Sequence, residues 1–200
     1  MRHLVLAAAL AVGLTACSTP ADEPSSQPTT SDTPAATSSA SPEPASGFTI
    51  TSPDFADGEE LGDWATANAF GGQCTGDNQN PAFEWTGAPE GTQAYAITML
   101  DRSANNYIHW VQFDIPGDAT GMTRGGSGDT GGVEGATAQA TPGYFGPCPP
   151  GSDHSYVFTL YALDASLGLE AGARFADVKA AIEAHKLAEA SIIGMRSGGA

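Results

Sequence analysis

His154-Ser155-Tyr156-Val157-Phe158-Thr159-Leu160-Tyr161-Ala162-Leu163 places His154, Tyr156, Phe158 and Leu160 on one side at a period of two, the pattern of a strand with one face turned to a core. The polar members of that side come first, so the face changes from polar to apolar along the strand. Upstream, Tyr95, Ile97, Met99 and Asp101 share a face in the same way, with the carboxylate at its end. After a six-residue connection, Ile108 to Asp114 puts His109, Val111 and Phe113 on one face. Paired as a hairpin, the two runs bring Asp101 beside His109. Short alternating runs separated by Gly, Pro, Asn and Asp clusters describe a mainly β, antiparallel fold. One helix is expected near residues 173–188: Phe175, Val178, Ile182 and His185 fall at helical offsets, with Ala181 and Ala188 on the same side. His185 has no acidic partner at helical spacing and reads as a packed residue rather than a ligand. Ala190 to Met195 reads as a closing strand, Trp85 and Trp110 as core, and Trp64 as a surface or edge residue.

Immediately before the first of these runs lies Gly143-Tyr144-Phe145-Gly146-Pro147-Cys148-Pro149-Pro150-Gly151. Pro147, Pro149 and Pro150 have fixed φ and no N–H, and Gly146 and Gly151 permit sharp turns, so the segment predicts a stiff ledge. Beside it, Asp101, His109, His154 and Tyr156 form a candidate small-ligand site. The glycine-dense stretch Thr120 to Gly143 is expected to be a long mobile flap. It lacks the Lys-Ser/Thr and the strand-to-helix frame of a phosphate-cradling loop.

The N-terminal segment is of another kind. Arg2 followed by the apolar run Leu4 to Leu14 reads as a secretory signal, too short to span a bilayer. Leu14-Thr15-Ala16-Cys17 resembles the bacterial lipobox, which makes Cys17 the expected lipidation site and residues 1–17 a lipoprotein signal peptide. Residues 18–46, rich in Ser, Thr, Pro and Ala, are expected to be a disordered linker. The folded part is therefore residues 47–200, a size suited to one domain. Seven Lys/Arg, one of them Arg2, stand against 23 Asp/Glu, for a formal net charge of −16. No basic stripe exists to neutralise phosphates, which argues against nucleic acid as a partner. Once Cys17 is acylated, Cys74 and Cys148 are the remaining thiols of an exported chain, and a disulfide between them is expected. A thiolate or metal role for either has no C-x-x-C spacing behind it.

Several blocks carry a family resemblance: Ser52-Pro53-Asp54-Phe55, Cys74-Thr75-Gly76-Asp77-Asn78, Asn80-Pro81-Ala82-Phe83-Glu84-Trp85, Ile108-His109-Trp110-Val111 ahead of Ile115-Pro116, the proline ledge, His154-Ser155-Tyr156 with its strand, and His185-Lys186-Leu187-Ala188. In order and spacing the chain resembles the phosphatidylethanolamine-binding protein family in its bacterial Raf-kinase-inhibitor-like (YbhB/YbcL-type) branch. The resemblance implies an antiparallel β-sandwich with short peripheral helices over 47–200, and a small pocket for phosphate-like anions or phospholipid headgroups. It assigns ligand binding to Asp101, His109, the wall Gly146, Pro147, Pro149 and Pro150, and to His154 and Tyr156. Ser103 stands where the family has a second aspartate, Asn105 where it has a proline, and Ser155 where it has an arginine.

These residues imply a binding module with no catalytic residue, cofactor or metal. In it Asp101 orients an imidazole and favours its charged form, leaving the other ring N–H for a phosphate oxygen. Tyr156 and backbone N–H groups near Gly146 and Gly151 are expected to add hydrogen bonds. Two alternatives stand beside it: a hydrolase using metal or histidine, which lacks a matching motif, and a protein-interaction module that inhibits or modulates an exported enzyme through an unknown protein partner. The expected location is outside the cytoplasm, held to the membrane through the lipid on Cys17.

Overall fold

A computed structural model of the chain describes residues 47–199. The signal, Cys17 and the linker lie outside the described residues. In chain order the strands are β1 Thr49–Thr51, β2 Asn68–Ala69, β3 Cys74–Thr75, β4 Phe83–Thr86, β5 Ala94–Asp101, β6 Tyr107–Pro116, β7 Gly121–Met122, β8 Val133–Glu134, β9 His154–Leu163 and β10 Lys186–Arg196, with one helix, α1, at Phe175–His185. A five-stranded sheet runs β10-β9-β5-β6-β8, a three-stranded sheet runs β1-β4-β7, and β2 and β3 form a separate hairpin. Every pairing between these strands is antiparallel.

The large sheet is covered on both faces, which explains why β5 is apolar at nearly every position. One face carries Tyr95, Ile97, Met99, Trp110, Tyr156, Phe158 and Leu160 into the main core, which also takes Phe83 and Trp85 from β4. The other buries Ala94, Ala96, Val111, Phe113 and Leu163 with Val178 and Ile182 of α1. This is the expected sandwich with its peripheral helix. Among the described residues no helix is long and apolar enough to cross a membrane.

The hairpin β5–β6 forms as expected, with Asp101 opposite Tyr107 and a connection of residues 102–106. Its faces differ from the simple alternation. Leu100 pairs with Ile108 and Met99 with Trp110, so His109 is the extra residue of a bulge. A bulge breaks the period of two, and His109 lies against Tyr156 and Asp101 while Val111 and Phe113 go to the helix side. The three do not share a face.

The segment Thr120 to Gly143 is not one free flap. It contributes β7 and β8, and its backbone bonds Asn80, Val111 and Ile108 through Gly125, Gly135 and Ala138. At Gly135 a Cβ would meet Val111 Cγ1 at 2.7 Å, so that glycine serves close approach. The last strand begins at Lys186, directly after α1, and Ala188 belongs to it rather than to the helix. His185 does have an acid partner: its Nδ1 lies 2.8 Å from Asp164 Oδ1, just beyond the end of β9 and so invisible to helical spacing. Trp64 is half-buried beneath the Arg124 guanidinium, 4.4 Å from its ring centre.

Candidate functional site

The polar ends of β5, β6 and β9 meet because these strands are neighbours in the large sheet. Asp101 lies opposite Tyr156 in the β5–β9 register, and His154 follows two residues further along the edge. All of these side chains are buried: Asp101 is 2% exposed, His109 5%, His154 9% and Tyr156 0%. Burying a carboxylate is costly unless its oxygens are bonded. Asp101 meets that demand in two ways. Its Oδ1 accepts from Ser103 N at 2.9 Å and Ala104 N at 3.1 Å, capping the 3₁₀ turn Arg102–Ala104. Its Oδ2 accepts from His154 Nδ1 at 2.6 Å.

That contact is the expected carboxylate–imidazole pair, and it leaves His154 Nε2 as the free ring nitrogen. His109 is arranged differently. Its Nδ1 lies 2.7 Å from the Phe145 carbonyl, which only accepts, so Nδ1 carries the proton. Its Nε2 is 3.9 Å from Asp101 Oδ2, too far for a hydrogen bond. Burial holds the His109 pKa below its ordinary value; the Phe145 carbonyl and the Asp101 charge oppose that shift without cancelling it. The expectation that the carboxylate favours imidazolium therefore does not extend to His109. Burial pushes the Tyr156 hydroxyl up, as does the Asp101 charge. Its oxygen is buried with no hydrogen-bond partner, and so is Thr66 Oγ1.

Tyr156 and Thr66, with their hydroxyl oxygens buried beneath the surface, line a cavity of about 950 Å³ together with Asp101, His109, His154, Pro149 and Pro150. Two of the expected wall residues do not reach it. Gly146 and Pro147 are buried behind the ledge: Gly146 N donates to Asn78 Oδ1 at 2.8 Å, and the Pro147 carbonyl accepts from Ala67 N at 3.0 Å. The Gly146 N–H is thus committed within the protein and is not offered to a ligand. Gly151 does line the cavity, and Cys74 and Cys148 are bonded there with their Cα atoms 5.9 Å apart.

Sequence reasoning missed other lining residues. Arg196, the cross-strand neighbour of His154, brings a cation to the cleft although Ser155 removed one. Its guanidinium donates to the Leu61 carbonyl at 2.9 Å and to Asp63 Oδ1 at 2.7 Å. The signal available in the sequence was the lone basic residue at the end of the closing strand. Phe70, on the β2–β3 turn, and Phe145 add aromatic surface. Among the described residues no group of three or more His, Cys, Asp or Glu has the geometry to hold a metal ion.

A family model described as phosphatidylethanolamine-binding protein matches residues 51–197. A UPF0098 protein of Methanothermobacter thermautotrophicus is 42% identical over 128 residues, 61% of this chain and 85% of that protein. A putative lipoprotein, LppC, of Mycobacterium tuberculosis is 34% identical over 166 residues, 80% of this chain and 78% of that one. The crystal structure of Escherichia coli YbcL, described as a new member of the mammalian PEBP family, superposes with a TM-score of 0.70 at 29% identity, covering 76% of this chain and 99% of YbcL.

Proposed function

This chain belongs to the phosphatidylethanolamine-binding protein family, and on that premise we propose that it is a non-enzymatic binding protein whose cleft takes a small phosphate-bearing anion, free or as a phospholipid headgroup. The observation that carries the reading is the cavity wall on which the Asp101–His154 pair, His109 and Arg196 meet over the Tyr156 hydroxyl, which is buried with no hydrogen-bond partner. A buried hydroxyl left unpaired costs about 1–3 kcal/mol, and a ligand oxygen is the acceptor that would recover it. Arg196 on the same wall adds a guanidinium, which is paired with Asp63.

The binding domain, residues 47–200, is held outside the cytoplasm by lipid on Cys17, with 18–46 as its tether. Support comes from the lipobox-like Leu14-Thr15-Ala16-Cys17 and from a relative named as a putative lipoprotein. Acyl chains on Cys17 would give stable attachment where one chain alone would not.

Calorimetric titration of the full chain with inorganic phosphate and with glycerophosphoethanolamine tests the reading. Binding is expected to tighten as pH falls toward 5.5, and Tyr156→Phe to weaken it by about tenfold or more, the value of a hydrogen bond to a charged group. Binding of inorganic phosphate alone identifies a free anion as the ligand, and of glycerophosphoethanolamine alone a headgroup. Absence of heat with both at every pH refutes the function. For the anchor, Cys17→Ala should abolish palmitate incorporation, and undiminished labelling would disprove lipidation there.

A further inference from the structure

The cavity is far larger than a phosphate group needs, and at about 950 Å³ it matches sites that enclose whole small molecules. Its wall continues past the polar groups as a run of rings. His109 stacks on Phe145 at 5.6 Å and 18°, and Phe145 meets Phe70 edge to face at 6.1 Å and 90°. Phe70 is 54% exposed, the one large apolar side chain so exposed among the described residues. Its φ of 55° lies in the left-handed region, which costs a non-glycine residue about 1 kcal/mol or more. It therefore gains little from burial and sits on a strained backbone. The β2–β3 hairpin that carries it is bonded to the ledge through Cys74–Cys148, so the ring is held at the cavity rather than trailing in solvent. Thr66, two residues before that hairpin, also lines the cavity.

We propose that Phe70 and Phe145 form a second subsite that takes the planar, unsaturated part of an aryl phosphomonoester whose phosphate lies among His109, His154 and Tyr156. This rests on the anion-binding reading above. The half-exposed face of Phe70 suits a flat ring, which stacks at little entropic cost. A long acyl chain finds no such match, because Gln73, Thr75 and Asp63 interrupt the apolar wall.

The test compares phenyl phosphate, glycerol 1-phosphate and inorganic phosphate on the full chain at one pH, with Phe70→Ser as the variant. Phe70 is exposed at a hairpin turn, so the variant is expected to fold. Phenyl phosphate should bind about tenfold more tightly than glycerol 1-phosphate, the order of one aromatic contact. Phe70→Ser should erase that difference and leave inorganic phosphate unchanged. Equal binding of the two esters by the wild type, or equal weakening of all three ligands by Phe70→Ser, overturns the subsite while the anion reading stands. Failure of all three to bind overturns the anion reading itself and the subsite with it.

Discussion

His109 carries its proton on Nδ1, held by the Phe145 carbonyl, so its neutral ring has a lone pair on Nε2, 3.9 Å from Asp101 Oδ2. A fully ionised phosphate oxygen cannot accept from that atom; either the ring takes up a proton or the ligand brings one. Burial opposes the first course, and the groups facing the ring divide: Asp101 from β5 favours the charged form, His154 from β9 disfavours it. The rings of Tyr156 and Tyr107 pack edge-on against it. The folded pKa lies below the ordinary 6.5, so the unfolded chain binds the proton first. Stability from this group is therefore complete above about 6.5 and is lost as pH falls through the interval down to the folded pKa. Urea midpoints of the unliganded chain should drop between pH 7.5 and 5.5, and His109→Gln, which keeps a donor for Phe145, should reduce that slope. A slope unchanged in the variant would show that His109 is not the group responsible. Phosphate affinity should move the other way, because a bound anion favours imidazolium. Asp101, His109, His154 and Tyr156 were legible in the sequence because each stands at the polar end of an alternating run. Arg196, Thr66 and Phe70 were not, since only strand register and loop packing bring them to the same hollow.

At the level of elements, the ledge was foreseen from its prolines, but the two glycines in it do different things. Gly151 has φ +78°, the left-handed turn that glycine permits. Gly146 has no such φ; a Cβ there would lie 2.0 Å from the Ala65 carbonyl oxygen and 2.7 Å from Ala67 N, both backbone atoms. The ledge thus packs against the segment entering β2, an approach between distant parts of the chain that a local reading takes for a turn. Gly146→Ala must separate the two and strain the bonds Gly146 N to Asn78 and Ala67 N to Pro147. Overpacking of this kind costs about 1–3 kcal/mol, and at about 2–4 °C per kcal/mol for a domain of this size calorimetry should show a clear fall in Tm. Gly128→Ala is the control, because a Cβ there meets nothing within 4 Å. Equal Tm values for the two variants would contradict the close approach. The bulge at His109 escaped for a related reason: alternation says which residues face together only while pairing stays in register, and one extra residue shifts the phase for everything beyond it.

On the scale of the whole molecule, the antiparallel β class followed from the alternating runs, the two-layer sandwich from the family resemblance, and the covered outer face from the amphipathic helix. How the β2–β3 hairpin attaches did not, because it belongs to neither main sheet. Its ties are a few backbone bonds, among them Ala67 N to Pro147 and Gly76 N to Ala67, and the covalent link Cys74–Cys148 across a separation of 74 residues. A closed loop of that length stabilises a fold by roughly 3–4.5 kcal/mol on the chain-entropy account. With a urea dependence of about 2 kcal/mol per molar, the double variant Cys74→Ser with Cys148→Ser should lower the urea midpoint by about 1.5–2 M. The same change should act unevenly on ligands. Asp101, His109, His154 and Tyr156 stand on the large sheet and stay in place, whereas Phe70 rides on the hairpin that the link holds to the ledge. Phenyl phosphate should therefore lose most of its advantage in the double variant while inorganic phosphate keeps its affinity. If both ligands weaken together, the bond supports the anion end as much as the aromatic wall, and the division of the cleft into a rigid sheet-borne half and a tethered half is wrong.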